Sequence, residues 1–423
     1  MKVCVLGSGG REHALVWRLL QDGHDVLAIP GSDAIPGSLG GALDSAPELT
    51  ATLSAANVDL VVVGPEAPLS RGLSDALRAA GWPVVGPNMA AAQLETSKAF
   101  AKAFMVESGV ATGGYLEAAS AAEAKARLQD GAVVVKFDGL AAGKGVVVCD
   151  DRAQAEAAIQ DLAATYGESA RFVLEERLSG PEVSLIVLTD GKVVVAFPLA
   201  QDHKRLGNGD VGPNTGGMGV VAPVTTCSQE VQSRIEQEIV VPTLRGLAAR
   251  GLEYRGFLYF GIMLTDAGPK LLEYNVRFGD PEAEALLPLV AGDFGAALLG
   301  CANGASVEDA LVPTGRSAVC VVAASPGYPA RHTKGLRITG LDEPLPEDVL
   351  VFHAGTSAGP EEQTGVRRRH GRDWFTDGGR VLNVVGIGDT LDAARDKAYD
   401  ALAKIRFDGM QVRTDIGARP RDR

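Results

Sequence analysis

Glu273, Asn275 and Arg277 stand on alternate residues of LLEYNVRFGDPE. Successive side chains of an extended chain point to opposite faces, so these three would share one face of a strand. A carboxylate and an amide oxygen suit Mg²⁺, which takes few protein ligands and completes its shell with water and phosphate. A guanidinium beyond them could neutralise charge on a phosphoryl group in transfer. A second basic feature lies upstream in VVVKFDGLAAGKGVVVC, residues 133–149, where two valine runs flank a bare loop with Lys136 and Lys144. Gly139, Gly143 and Gly145 would let backbone N–H groups approach phosphate oxygens while the lysines supply charge. The pattern predicts a β-hairpin that folds over a nucleoside triphosphate. Between the two features, VLEERLSGPEVS offers main chain to read an adenine edge and, at Glu182, a carboxylate for ribose hydroxyls.

Other glycine and lysine chemistries fit less well. A P-loop needs four residues between its first glycine and Gly-Lys, then Ser or Thr, on a strand-to-helix turn. Here Gly139 and Gly143-Lys144 are separated by three residues, Gly145 follows, and a second strand comes next. A dinucleotide fold would use Gly7, Gly9 and Gly10, but Glu12 stands at the third fingerprint position and the second strand ends Ile29-Pro30-Gly31 without an acid. Two plain alternatives stay open: a tight hairpin with solvated lysines, and a polar strand face with an ion pair.

These residues need elements to hold them. KVCVLG, VLAIPG, DLVVVGPE and WPVVGP alternate with helical patterns such as REHALVWRLLQ, which predicts a parallel sheet whose carboxyl-end loops bind ligand. One helix is predicted over residues 89–108, stopped by Gly109. The predicted order then becomes antiparallel: the 133–149 hairpin, a helix from near Asp151, and strands turning at Asp190-Gly191. QDHKRLGNGDVGPNTGGMGV, residues 201–220, reads as a long functional loop. A helix near 228–250, the hairpin FLYFGIMLTDAGPKLLEYN and a helix from about Pro281 follow. A last unit begins at SAVCVVAASPGYP and closes with LDAARDKAYDALAKI.

The fold expected is therefore multidomain, α/β and α+β. An N-terminal parallel α/β domain spans 1–100, a nucleotide-binding core 101–310 with a mobile lid at about 120–190, and a small C-terminal α+β domain 311–423. A chain of 423 residues is long enough for several domains, and 46% hydrophobic with 22% charged residues is ordinary for a soluble globular protein. The net charge of −13 disfavours nucleic acid and anionic membranes, so an anionic ligand must meet a local basic site. Glycine makes up 52 of the 423 residues, well above the usual ~7%, which invites a search for loops that approach ligands closely. No transmembrane run or signal-peptide pattern occurs, and the five cysteines are scattered singly, so a cytoplasmic protein without disulfides or structural zinc is expected.

With these pieces in this order, the chain resembles the ATP-grasp superfamily and, within it, the phosphoribosylamine–glycine ligase family. The likeness rests on GSGGREHAL, DLVVVGPEAPL, AAQLETSKAF, KFDGLAAGKGV, QDHKRLGNGDVGPNTGGMG and EYNVRFGDPE, and continues in VFHAGT and GGRVLNVV. Phe137 and Val276 depart from the family pattern, and FLYFGIM lacks a carboxylate where many superfamily members place another magnesium ligand. The resemblance implies ATP-dependent ligation of glycine to 5-phosphoribosylamine through glycyl phosphate, with Mg²⁺ or Mn²⁺ and no nucleic-acid or membrane partner, by a monomer. It places Lys98, Lys136, Gly143, Lys144 and Gly145 at the ATP phosphates. Glu175, Leu178 and Glu182 would frame adenine and ribose, Glu273 and Asn275 would hold metal, and Arg277 with Lys144 would act in phosphoryl transfer. Gly9, Gly10, Glu66, Asp202, Lys204, Asn214, Thr215, Gly216, Gly217 and Met218 would line the two other substrates, since free N–H groups suit phosphate and carboxylate. His203 and Arg205 would line the same space; for His203, ligand contact and loop stabilisation both stay open, and His13 is expected to be structural. Another ATP-grasp carboxylate–amine ligase, a carboxylase, and a non-catalytic nucleotide sensor are the rivals.

Overall fold

The computed structural model describes residues 1–141, 144–225, 227–359 and 372–418. Its first strands, β1 (Lys2–Gly7), β2 (Asp25–Pro30), β3 (Leu60–Val63) and β4 (Val84–Val85), form a parallel sheet in the order β2-β1-β3-β4. Val3, Val5, Leu60 and Val62 are fully buried, as expected of strands covered on both faces. The helix Gly10–Gln21 starts at the carboxyl end of β1.

Two antiparallel sheets carry the middle of the chain. One has β5 (Tyr115–Ala118), β6 (Val133–Phe137), β7 (Val146–Cys149) and β8 (Phe172–Glu176) in the order β5-β8-β6-β7, backed by the helix Arg152–Tyr166. Asp151 starts that helix as expected, its side chain accepting from Gln154 N–H. The other has β9 (Glu182–Thr189), β10 (Val194–Ala196), β15 (Gly256–Thr265) and β16 (Gly268–Asn275) in the order β10-β9-β15-β16.

Three expectations need correction. Residues 89–108 form two helices, Met89–Thr96 and Lys98–Ser108, because Ser97 turns extended and caps the second with its hydroxyl. Residues 201–220 are not one irregular loop. They hold β11 (Gln201–Asp202), β12 (Arg205–Gly207), β13 (Val211–Asn214) and the start of β14 (Gly219–Ala222). β14 pairs with the distant strand Ser317–Ala324, so the C-terminal sheet is completed by a strand from the middle of the chain. The helix after Pro281 is only Glu282–Leu286.

Candidate active site

The site is built where β16 meets the helix Lys98–Ser108. That helix begins with Ser97 accepting from Phe100 N–H, and it ends at Gly109 in the left-handed region. A residue just after β6 adds to its start: Asp138 Oδ1 accepts from Ser97 Oγ at 2.9 Å and from Ala99 N–H at 3.2 Å. Lys98 and Lys102 lie one turn apart and face β16.

β16 carries a bulge. Gly261 faces Glu273 while Ile262 faces Leu271, so Leu272 is an extra residue, and its carbonyl accepts from Lys136 Nζ at 3.1 Å. A small pocket there is lined by Lys98, Lys102, Lys136, Glu175, Leu272 and Glu273. Burial favours a neutral Glu273 carboxyl, but Lys204, Lys98, Lys136 and Arg277 outweigh it and hold the pKa down to about 2. Lys204 Nζ is 3.8 Å from Glu273 Oε1 and also pairs with Glu182, so the expected ribose and metal carboxylates share one ammonium.

Glu273, Asn275 and Arg277 do share a side. Arg277 Nη2 approaches Asn275 Oδ1 at 3.4 Å, although β16 ends at Asn275. The guanidinium is held by Glu95 at 3.1 Å and Glu66 at 3.5 Å. Burial opposes its charge, yet these carboxylates raise its pKa. Glu95, fully buried, also accepts from Val276 N–H at 2.7 Å, and burial pushes its own pKa up against the pull of Arg277. An ionised carboxylate and an amide oxygen beside these cations form a hard oxygen set that fits Mg²⁺ or Mn²⁺. Gly261, opposite Glu273, adds no carboxylate, and a side chain there would meet Glu273 Cγ at 3.2 Å.

The opening hairpin forms with the expected register, Val133 opposite Cys149 and Lys136 opposite Val146. Lys144 is exposed beside it, and Gly143 lies outside the described residues. A Cβ on Gly145 would come within 2.6 Å of Ala141 Cβ. Phe137, one departure from the family pattern, stacks on Tyr166 at 4.0 Å, and Val276, the other, is buried. Leu178 follows β8, close enough that a Cβ on Gly113 would touch it at 3.4 Å.

Several residues sit differently from expectation. Glu175 does not point outward to frame adenine: its side chain is 5% exposed and pairs with Lys102 and Lys136 at 2.8 and 2.7 Å. Gly9 N–H is not free, since Glu12 Oε2 accepts from it at 2.7 Å. Gly10 allows close packing, because a Cβ there would meet Glu284 and Asn383 at 2.4 and 2.5 Å. Met218 is fully buried beneath its loop, which removes its side chain from any ligand surface. His203 Nδ1 donates to Gly219 O, 3.2 Å away, which fits loop stabilisation. Arg205 donates to Gly212 O within its own hairpin. His13 is structural, with Nδ1 accepting from His353 N–H at 3.0 Å.

The loop 214–218 is fixed from both sides. Asn214 pairs with Arg205, Thr215 Oγ1 donates to Lys204 O, and Gly217 N–H donates back to Thr215 Oγ1. Gly217, at φ +112°, could carry no side chain without meeting Asp202 Oδ1 at 2.7 Å. Burial, and then Glu282, raises the Asp202 pKa. From the C-terminal sheet, Tyr328 OH accepts from Gly216 N–H at 2.9 Å, and Arg380 donates to Gly216 O and Asp280 O. Lys102, Glu95, Asp138, Tyr328 and Arg380 all escaped the sequence reading. The four-residue spacing of Lys98 and Lys102 was the one available signal.

Comparison with known proteins agrees with this architecture. The chain matches the phosphoribosylglycinamide synthetase N domain over residues 1–95, the ATP-grasp (A) domain over 96–283 and the C domain over 318–419. It is 45% identical to phosphoribosylamine–glycine ligase of Caulobacter vibrioides, covering 99% of this chain and 98% of that one. Identity to the ligase of that name from Synechocystis sp. is 43%, over 99% of both chains. The crystal structure of phosphoribosylamine–glycine ligase from Thermotoga maritima superposes with a TM-score of 0.82 at 35% identity, covering 98% of this chain and all of that one. A biotin carboxylase from Campylobacter jejuni, 16% identical, shares the fold with a TM-score of 0.70 over 97% of this chain and 92% of its own. The chain belongs to the phosphoribosylglycinamide synthetase family, and its middle domain is an ATP-grasp domain.

Proposed function

We infer that this chain joins glycine to 5-phosphoribosylamine with ATP, giving glycinamide ribonucleotide, ADP and phosphate, an early step of purine synthesis. The observation that carries the reading is the convergence of Lys98, Lys136, Lys204 and Arg277 on Glu273 along one wall. That wall suits a triphosphate with its metal, and the relatives bear the name of this ligase over the full length.

A carboxylate resists attack by an amine. One glycine carboxylate oxygen therefore attacks the γ-phosphorus, ADP leaves, and glycyl phosphate forms. The ribosylamine nitrogen then attacks the carbonyl carbon, the C–O bond to phosphate breaks, and the nitrogen loses its surplus proton. Lys98, Lys136 and Lys144 bind the phosphates, and Arg277 neutralises charge on the transferring group. Glu273 and Asn275 would hold Mg²⁺ or Mn²⁺, which supplies charge neutralisation and orientation to the triphosphate. Glu182 and Leu178 frame the nucleoside. Glu66, Asp202, Lys204 and the backbone of 214–217 line the space for the other two substrates. Folding of the hairpin over ATP excludes water that would hydrolyse the acyl phosphate.

All of these groups belong to one chain, and a monomer is the state proposed for it. Among the described residues no helix is long and apolar enough to cross a membrane, and the five cysteines are free and buried; a cytoplasmic location is part of the proposal. The chemical test uses glycine labelled with ¹⁸O in its carboxylate. One labelled oxygen should appear in inorganic phosphate for each amide formed. Unlabelled phosphate would rule out the acyl phosphate route.

A further inference from the structure

Three charged side chains lie buried together beneath the phosphate wall. Glu175 Oε1 is 2.7 Å from Lys136 Nζ and Oε2 is 2.8 Å from Lys102 Nζ. All three side chains are at least nine-tenths buried. The two lysines are tied differently. Lys102 comes from the helix Lys98–Ser108 and also donates to Thr112 Oγ1 at 2.8 Å, while that hydroxyl donates to Leu271 O at 2.6 Å. Its ammonium is thus locked into the fold behind the wall. Lys136 comes from the lid strand β6, and its other bond is to the carbonyl exposed by the bulge, Leu272 O. An ammonium has three donors, so one remains on Lys136 beside Glu273.

We propose that Lys102 is a positioning residue that acts as the fixed counterion of Glu175, leaving the charge of Lys136 available to the nucleotide phosphates. With one lysine the Glu175 pair would be neutral. With two the cluster carries a net positive charge at the wall. Glu175 is needed as well, because two buried ammoniums at this distance would repel and each would shed its proton more readily. The carboxylate therefore gathers the lid strand and the lysine helix around one point, and Lys102 offsets its charge.

The proposal rests on the reading of Lys136 as a phosphate ligand, and four variants separate the two. The measured quantities are KM for ATP, kcat, the Kd of a non-hydrolysable ATP analogue, and the melting temperature. Lys136→Met tests the underlying reading: unchanged nucleotide affinity would refute it, whatever Lys102 does. Lys102→Met brings the cluster to neutrality and is expected to raise KM and Kd about tenfold, with a smaller change in kcat. Lys102→Met/Glu175→Gln restores the wild-type net charge and is expected to bind the analogue within about threefold of wild type. Glu175→Gln alone should bind at least as tightly as the double variant.

A merely structural Lys102 would lower the melting temperature of Lys102→Met and leave nucleotide affinity alone. That result overturns the proposal, as does a double variant no tighter than Lys102→Met. Where Lys102→Met does not fold, the double variant decides: binding about tenfold or more below wild type contradicts the charge count.

Discussion

The wall formed by β16 and the hairpin formed by β6 and β7 are both basic, but they are held in opposite ways. On the wall, Arg277 sits between Glu95 and Glu66, Lys136 is fixed by Leu272 O and Glu175, and Lys204 bridges Glu182 and Glu273. Each cation has a buried or half-buried partner on another element. On the hairpin, Lys144 is exposed and has no ion-pair partner among the described residues. The aromatic stack of Phe137 on Tyr166 lies within the expected lid, while Asp138 ties the hairpin base to the lysine helix. On the proposed roles, charge that would stabilise a transferring phosphoryl group is preorganised, whereas charge that would admit ATP and then cover it is left free.

The contrast predicts unequal effects of substitution. Arg277→Ala should cost about 10² or more in kcat, since it removes a prebuilt donor; Arg277→Lys should recover little, because an ammonium cannot reproduce the fork. Retention of more than half the wild-type kcat in the alanine variant would break the comparison at the wall. Gly145→Val should raise KM for ATP roughly tenfold while the protein stays folded, because the hairpin tip clashes locally with Ala141. Equal losses of kcat and melting temperature would show instead that the hairpin is part of the rigid frame.

A third prediction concerns a contact away from both regions. His13 and His353 join the N-terminal and C-terminal parts. Burial lowers their pKa values to about 4 and about 3, and the charge of His13 adds to the shift at His353. The unfolded chain, at about 6.5, then binds more protons below that pH, so the stability they contribute is present above pH ~6.5 and is lost as pH falls toward 4. Urea unfolding should give a free energy lower by about 2 kcal/mol per histidine at pH 5 than at pH 7.5. A flat profile would remove the clasp. The smallest effect is expected from Asp138→Ala, a stability loss of about 1 kcal/mol from the missing helix cap, with a modest rise in KM for ATP as the lid base loosens. Stability lost with KM unchanged would make Asp138 a cap only.

Local patterns carried most of what was legible in the sequence. Valine runs and glycine marked the 133–149 hairpin, Asp151 marked a helix start, and alternate spacing put Glu273, Asn275 and Arg277 on one side. What escaped depended on partners far along the chain. β14 looked like loop because the strand that completes its pairing lies about a hundred residues later. Nothing local singled out Glu95 as a site residue, and Lys102 had only its spacing from Lys98; the packing of β16 and β8 against their helices makes them buried counterions. Arg380 and Tyr328 belong to another domain and reach the 214–218 loop only once the C-terminal sheet has taken β14 as a strand. Gly9 and Gly10 were legible as a turn, but not the side chain of Glu12 that occupies it.

The most direct measurement is ADP formation with freshly made 5-phosphoribosylamine, in the wild type and in Glu273→Ala. The wild type should sustain repeated ADP release only when both glycine and ribosylamine are present, and Glu273→Ala should lose about 10² or more of that rate at saturating ATP. ADP release that ignores glycine, or a Glu273→Ala enzyme that keeps its full rate, would contradict a ligase whose triphosphate is held on this wall.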